Sequence, residues 1–162
     1  MSTLFVDTIN EKTSGNGIQV PGHVVQVQYR KQANNTFTST SSSMTDLTDW
    51  YVDITPKSAS NLIIWQSTIA LQLNDSDGYA RFRIVDSNNS DAVWNTNTYM
   101  GMCAYYQATN GFMDEPLFHI NTAGTTSAMR LQLQFQINNG GTLSRAWSTS
   151  DDRIIMAMEI AQ

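Results

Sequence analysis

Residues 128–137, AMRLQLQFQI, decide the fold class of this chain. Apolar side chains occupy the odd positions from 129 to 137, and Arg or Gln occupies each even position between them. Successive side chains of a β-strand point to opposite faces of a sheet, so this alternation predicts a strand with one apolar face. An amphipathic helix would instead need apolar residues three and four positions apart. The segment therefore predicts a half-buried strand.

The same pattern recurs along residues 24–162, while helical periodicity is nearly absent. Further strand candidates, each bounded by turn-forming residues, are residues 24–30, 50–54, 61–73, 79–85, 116–121, 142–147 and 153–160. Residues 74–78 and 138–141 are rich in Asn, Asp and Gly and predict hairpin connections, and residues 86–91 predict a polar turn. Roughly eight short strands predict an all-β fold, an antiparallel β-sandwich of jelly-roll type.

Residues 1–23 differ from the rest and predict a short N-terminal β anchor. They contain two short strand-like pieces, a Ser-Gly-Asn-Gly turn between them, and a Pro-Gly break at the end. Two such strands bury too little surface to fold alone, so they need other copies or another protein to lie against. We therefore expect an assembly segment at residues 1–23 that is joined to a globular domain at residues 24–162. The candidate anchor residues are Leu4, Val6, Ile9, Ile18, Val20 and Pro21.

The composition limits the partners of the chain. Asp and Glu number 14 against 9 Lys and Arg, and the resulting charge of −5 argues against binding to nucleic acid or to an anionic membrane. Ser, Thr, Asn and Gln make up 59 of the 162 residues. Such a polar but weakly charged surface suits contacts between chains or with sugars. We expect the Gln residues at 132, 134 and 136 to serve contacts between copies.

The sequence offers no catalytic constellation, so we expect a protein that is not an enzyme and has no cofactor or metal. His23 and His119 are the two histidines, and no G-x-S-x-G motif accompanies them. Cys103 lies among apolar neighbours, which favours an inert buried thiol. The acidic cluster at residues 74–78 lacks the spacing of a calcium loop.

One region, residues 94–116, resembles a binding surface in its composition. Its candidate ligand residues are Trp94, Tyr99, Tyr105, Tyr106 and Phe112, which lie among Asn, Thr and Gln. Aromatic faces stack on sugar rings while amides and hydroxyls match sugar hydroxyls, so the region predicts a glycan site. The alternative interpretation is that these aromatic residues pack in the core or between subunits.

The N-terminal motif and two other segments resemble small tail-fibre-like structural proteins of tailed bacteriophages, especially those of marine bacteria and cyanobacteria. The residues that carry the N-terminal resemblance are Ser2, Thr3, Leu4, Val6, Ile9, Thr13, Ser14, Gly15, Gly17, Ile18, Val20, Pro21, Gly22, His23, Val24, Val25 and Gln26. The middle segment WYVDITPKSASNLIIWQSTIAL and the ending IIMAMEIAQ are also similar to this family.

The resemblance implies a homotrimeric structural protein of the virion, a short tail fibre of the cyanophage type. Its N-terminal segment would attach to other phage tail or capsid proteins, and its C-terminal domain would face host cell-surface polysaccharide. The tail is the expected position, and the alternative is a capsid decoration, head-fibre, baseplate or neck component without a receptor role. Two further hypotheses are a glycan depolymerase and a soluble lectin. Adjacent Asp114 and Glu115 make a poor carboxylate pair for a depolymerase.

Overall fold

The computed structural model describes residues 20–32, 37–73, 79–94, 103–105, 111–137, 142–145 and 153–162. These residues form an all-β structure in which every strand pairing is antiparallel. The strands are β1 (Val24–Gln32), β2 (Phe37–Ser39), β3 (Thr45–Ile54), β4 (Leu62–Leu73), β5 (Tyr79–Asp86), β6 (Ala92–Val93), β7 (Cys103–Tyr105), β8 (Gly111–Thr122), β9 (Met129–Ile137), β10 (Leu143–Arg145) and β11 (Arg153–Ile160).

The strands belong to two sheets. In the first sheet β11 lies between β1 and β4, β8 pairs with the other edge of β4, and the short strands β10 and β2 extend the sheet beside the end of β4. In the second sheet the order is β3, β9 and β5, and both β6 and β7 pair with β5. The all-β class and the antiparallel pairing expected from the alternation are therefore confirmed.

Inward-facing side chains of both sheets form one hydrophobic cluster. Trp50 and Phe135 come from the second sheet and Trp65 comes from the first, and each is at most 2% exposed. The indole N–H of Trp50 donates to the hydroxyl of Ser67 at 3.1 Å, which links the two sheets inside the core. Large aromatic residues contribute most of the buried apolar area here, because each can bury roughly 150–250 Å².

Most predicted strands agree with the structure, and the differences lie where alternation is interrupted. Strands β1, β4, β5, β9 and β11 match their predicted segments to within about two residues. Strands β3 and β8 each begin five residues earlier than predicted, at Thr45 and Gly111. The main chain of β3 has a bulge between Asp46 and Tyr51, with Asp49 at a φ of 63°, so the period-two pattern breaks there.

The two predicted hairpins are wrong as strand pairings. Strands β4 and β5 flank residues 74–78 but belong to different sheets, and so do β9 and β10 around residues 138–141. Residues 74–78 and 138–141 themselves lie outside the described residues. Turn-forming residues indicate that the chain changes direction, but they do not specify which sheet receives the next strand. The turn at residues 86–91 is confirmed: a 3₁₀ helix at Ser87–Asn89 leads into β6, which pairs with β5.

The polar face of β9 is mostly used within the chain, contrary to the expectation that its Gln residues serve contacts between copies. Gln132 is 6% exposed and Gln134 is 5% exposed. The amide of Gln132 donates to the carbonyls of Leu47 and Trp50, at 2.8 and 3.2 Å. Gln134 donates to Asp46 at 2.7 Å and accepts from the guanidinium of Arg83 at the same distance. These amides hold β3 and β5 against β9.

The domain has two distinct ends. At the terminal end, Val24 pairs with Ile160, Ile160 with Leu62, and Leu62 with Thr122. At the distal end, Leu73 pairs with Gly111 and Tyr79 pairs with Tyr105. The twelve residues of β4 connect the two ends, a distance of about 36 Å at the usual rise per residue.

Candidate functional site

Trp94, one of the predicted ligand residues, lies in the hydrophobic core. It is 7% exposed, and its ring meets the ring of His119 edge to face at a centroid distance of 5.4 Å. The backbone N–H of Trp94 donates to the carbonyl of Ile84 at 2.9 Å, and its own carbonyl accepts from the Asn121 amide. The core interpretation therefore holds for Trp94, and its indole face is not open to a sugar.

The other predicted ligand residues are only partly described. Tyr105 lies in β7 opposite Tyr79, and Phe112 lies in β8 opposite Gln72. Both backbone positions are at the distal end, so the fold brings these two residues to the same end of the domain. Tyr99 and Tyr106 lie outside the described residues. The glycan site stays a prediction.

Residues 20–23, the described part of the predicted anchor, lie at the terminal end of the domain. Pro21 and Gly22 occupy the middle of a four-residue turn, in which the His23 N–H donates to the Val20 carbonyl at 3.0 Å. Gly22 has a φ of +87°, which a type II turn requires at this position and glycine adopts without steric cost. Val20 is 56% exposed and Pro21 is exposed. The other predicted anchor residues, Leu4, Val6, Ile9 and Ile18, lie outside the described residues.

Backbone hydrogen bonds tie this turn to the C-terminus. The Gly22 N–H donates to the Ala161 carbonyl at 2.8 Å, and the Ala161 N–H donates to the His23 carbonyl at 3.0 Å. The start and the end of the described chain are thus neighbours. A force on the N-terminal segment would act on both β1 and β11.

A buried carboxylate organises the terminal end. Glu159 is fully buried and accepts four hydrogen bonds. The donors are Gln26 Nε2 at 2.6 Å, the backbone N–H groups of Lys57 and Ser58 at 2.8 and 3.3 Å, and Asn61 Nδ2 at 2.7 Å. Buried polar groups need such partners, because an unpaired one costs free energy. Glu159 thereby fixes the loop between β3 and β4 to β1 and β11.

The outer face of the second sheet is charged and internally paired. Arg130 forms an ion pair with Asp53 at 2.8 Å, and Arg30, reaching across from β1, forms another with Asp49 at 3.2 Å. Both guanidinium groups also lie over the ring of Tyr51, at 4.0 and 3.9 Å from its centroid. The hydrogen bond to Asp53 raises the pKa of Arg130 further. This face has the chemistry of an ordinary solvated surface.

The outer face of the first sheet is apolar. Two rows of directly opposed residues cross all four long strands of this sheet. One row is Val27, Met158, Ile64 and Ile120, and the other is Tyr29, Met156, Gln66 and Phe118. Side chains directly opposite each other in an antiparallel pair point to the same face. We call these residues, together with Leu62, Ile154 and Ile160 on the same strand faces, the apolar face.

Sequence reasoning missed the apolar face, although β11 carried a signal for it. The side of β11 that includes Ile155 and Ala157 is buried, yet the opposite side is also apolar, with Ile154, Met156 and Met158. A half-buried strand normally has one polar face. A strand that is apolar on both faces therefore indicates a second covered surface.

The described residues contain no group of three or more His, Cys, Asp or Glu side chains that could hold a metal ion. His119 has a pKa below its ordinary value because burial disfavours its charged form. Its Nε2 atom has no hydrogen-bond partner within the described part of the chain. Asp114 forms an ion pair with Arg153 at 2.9 Å, near the distal end.

No family model matches this chain, and no curated protein matches its sequence significantly. Within the described ranges, the fold contains no helix of the length and hydrophobicity that crossing a membrane requires. The interpretation of the chain therefore depends on its own residues.

Proposed function

We propose that this chain is a structural protein of a phage particle and not an enzyme: a short, homotrimeric, fibre-like component. Residues 1–23 attach it to other tail or capsid proteins, and residues 24–162 form the outward domain. Two observations support this proposal. The N-terminal motif resembles that of tail-fibre-like proteins, and the N-terminal segment and two predicted ligand residues lie at opposite ends of the domain.

The domain itself is proposed to be a jelly-roll sandwich. The long strands of the first sheet follow the order β1, β11, β4 and β8, and the second sheet follows the order β3, β9, β5 and β7. From β3 to β5, and again from β8 to β10, consecutive strands alternate between the two sheets. An eight-stranded jelly roll has this kind of alternation, and its first and last strands are neighbours, as β1 and β11 are.

The observation that carries the functional proposal is that the segment proposed for attachment and two residues proposed for ligand binding lie at opposite ends of the domain. The N-terminal segment joins at the terminal end, where Gly22 and His23 are hydrogen-bonded to Ala161. Tyr105 and Phe112, two of the predicted ligand residues, lie about 36 Å away at the distal end. A protein that is fixed by its N-terminus would thus present the distal end outward. Host surface polysaccharide is the ligand proposed for that end.

Immunogold labelling tests the proposal. Antibodies against the domain should label purified particles of the phage whose genome encodes the chain, and the label should lie on the tail. Particles of an unrelated phage serve as the control. Label on the head would favour the decoration or head-fibre alternative. Absence of the chain from disrupted, purified particles would contradict a structural role.

A further inference from the structure

The exposed apolar side chains of the domain are concentrated on one face. Within the described residues, eight large hydrophobic side chains are exposed, and five of them belong to the apolar face. These five are Val27, Tyr29, Phe118, Ile120 and Ile154, at 44, 69, 55, 42 and 52% exposure. Single exposed apolar residues are normal, but a contiguous patch marks an interaction surface.

The shape of the apolar face includes both a protrusion and a depression. Tyr29 stands out from β1 with 69% of its surface exposed. A groove of about 620 Å³ runs between β11, β4 and β8, and its lining includes Met156, Gln66 and Phe118. Aromatic side chains that fill a pocket on the partner are typical anchors of protein interfaces. One face thus carries both an anchor and a pocket of a size that accepts such an anchor.

The distribution of charge favours a second copy of the chain as the occupant. The chain has a net charge of −5, so two copies repel each other wherever their acidic groups meet. The two central rows of the apolar face contain no charged residue. At the border of the apolar face, exposed Lys31 lies opposite Ile154, and exposed Asp114 is paired with Arg153. The outer face of the second sheet carries more carboxylates, among them exposed Asp46 and Asp53, which have partners in Gln134 and Arg130. The two central rows of the apolar face are therefore a surface on which like-charged copies can meet at little electrostatic cost.

The size of the apolar face gives part of the interface that a trimer needs. Four strands about 4.8 Å apart and seven residues of about 3.3 Å each give a flat area of about 450 Å². In a trimer each face meets two neighbours, so the three faces together would bury about 1,350 Å², or about 450 Å² for each pair of copies, and other surfaces would supply the rest of the ~1,000 Å² of a specific pairwise interface. Protruding side chains such as Tyr29 add to this area.

We propose that copies of this chain contact one another through the apolar face, so that in the trimer the three β1-β11-β4-β8 sheets surround the symmetry axis. The second sheet, with its paired charges, then faces solvent. This inference rests on the proposed self-assembly of the chain and adds the surface that performs it.

Two matched substitutions test the surface. Val27→Lys places a charge on the apolar face, whereas Val93→Lys makes the same change at an almost equally exposed valine on β6, at 44 and 42% exposure respectively. In sedimentation equilibrium at micromolar concentrations, the native chain of 162 residues should self-associate. Val27→Lys should weaken the association roughly a hundredfold, because an unpaired charge would be buried. Val93→Lys should behave as the native chain does.

Circular dichroism and urea unfolding of each variant check that the fold is intact. If Val27→Lys fails to fold, Tyr29→Ala at the most exposed position should weaken association without loss of structure. The inference would be overturned if the native chain is monomeric over the whole concentration range. It would also be overturned if Val27→Lys and Tyr29→Ala both fold and both associate as the native chain does. A monomeric native chain whose Val27→Lys variant is missing from purified particles would also overturn the inference, because a different protein would then cover the apolar face. Immunogold label on the particles would still support the structural role of the chain after any of these outcomes, because the labelling does not depend on which surface the copies use.

Discussion

At the scale of single residues, the buried carboxylate of Glu159 links the segments that meet at the terminal end of the domain. This carboxylate joins four donors from two segments that are far apart in sequence, β1 with Gln26 and the loop between β3 and β4 with Lys57, Ser58 and Asn61. Asn61 in turn accepts from the N–H of Gln162 at 3.2 Å and, through its carbonyl, from the N–H of Ala123 at 2.8 Å. The attachment point of the N-terminal segment is thus stabilised by a hydrogen-bond network as well as by apolar packing.

Removal of this carboxylate should destabilise the domain strongly. Glu159→Ala leaves several buried donors unpaired, and we expect a loss of roughly 3–5 kcal/mol in the free energy of unfolding in urea. Asp53→Ala is the control, because it removes a carboxylate from an exposed ion pair that contributes at most about 1 kcal/mol. Equal losses for the two variants would contradict the role given to Glu159.

The half-buried imidazole of His119 should make stability depend on pH. Its pKa is lowered in the folded protein, so the unfolded chain takes up the proton first as the pH falls. The free energy of unfolding should therefore decrease from about pH 6.5 down to the lower pKa of the folded state. In His119→Phe, which keeps an aromatic ring beside Trp94, the decrease between pH 7 and pH 5 should be smaller. Parallel pH profiles for the two proteins would show that His119 is not the group responsible.

At the scale of elements, β9 shows that a polar strand face can belong to the interior. At the bulge in β3, the Gln132 amide donates hydrogen bonds to the carbonyls of Leu47 and Trp50. The side chain of Gln132 thus determines how β3 can curve over β9.

Two identical substitutions on this strand should have different effects. Gln132→Leu removes the amide that donates to the two carbonyls at the bulge and should reduce the free energy of unfolding by about 2 kcal/mol. Gln136→Leu, on the same face of β9 but only half-buried, should change it by less than about 0.5 kcal/mol. Urea unfolding of both variants measures the difference. If Gln136→Leu is as damaging as Gln132→Leu, the bulge does not explain the burial of Gln132.

Sequence patterns located the long strands best where the period of two is regular, and they placed the starts of β3 and β8 five residues too late. The alternation of β9 and β11 was sufficient to place both to within one residue. The same patterns could not assign strands to sheets, because the Asn- and Gly-rich segments beside β4 and β9 look the same for a hairpin and for a crossing between sheets. They also could not predict that Gln132 would be buried, since the bulge that it satisfies arises from the pairing of β3.

The candidate site was predicted less completely than the fold. Aromatic composition suggested a ligand role for Trp94, but an aromatic residue among polar neighbours is equally suited to the core, where Trp94 lies. The sequence pattern does not predict the apolar face, because its residues come from β1, β4, β8 and β11 and only the strand pairing brings them together. Each strand alone contributes two to four of them.

At the scale of the whole molecule, the two outer faces divide the surface by chemistry. The face with Arg130 and Asp53 is charged and paired within the chain, whereas the apolar face consists of side chains such as Met158 and Phe118. Such an asymmetry is unusual for a domain that is solvated on all sides. It is expected of a subunit that turns one sheet toward its neighbours.

The mass of the native 162-residue chain in solution tests the proposed assembly most directly. The chain has a mass of 18.1 kDa, so a homotrimer has a mass of about 54 kDa. Light scattering coupled to size-exclusion chromatography at micromolar concentrations should give this threefold mass. A stable particle with the mass of a single chain over the same concentration range would contradict the proposal.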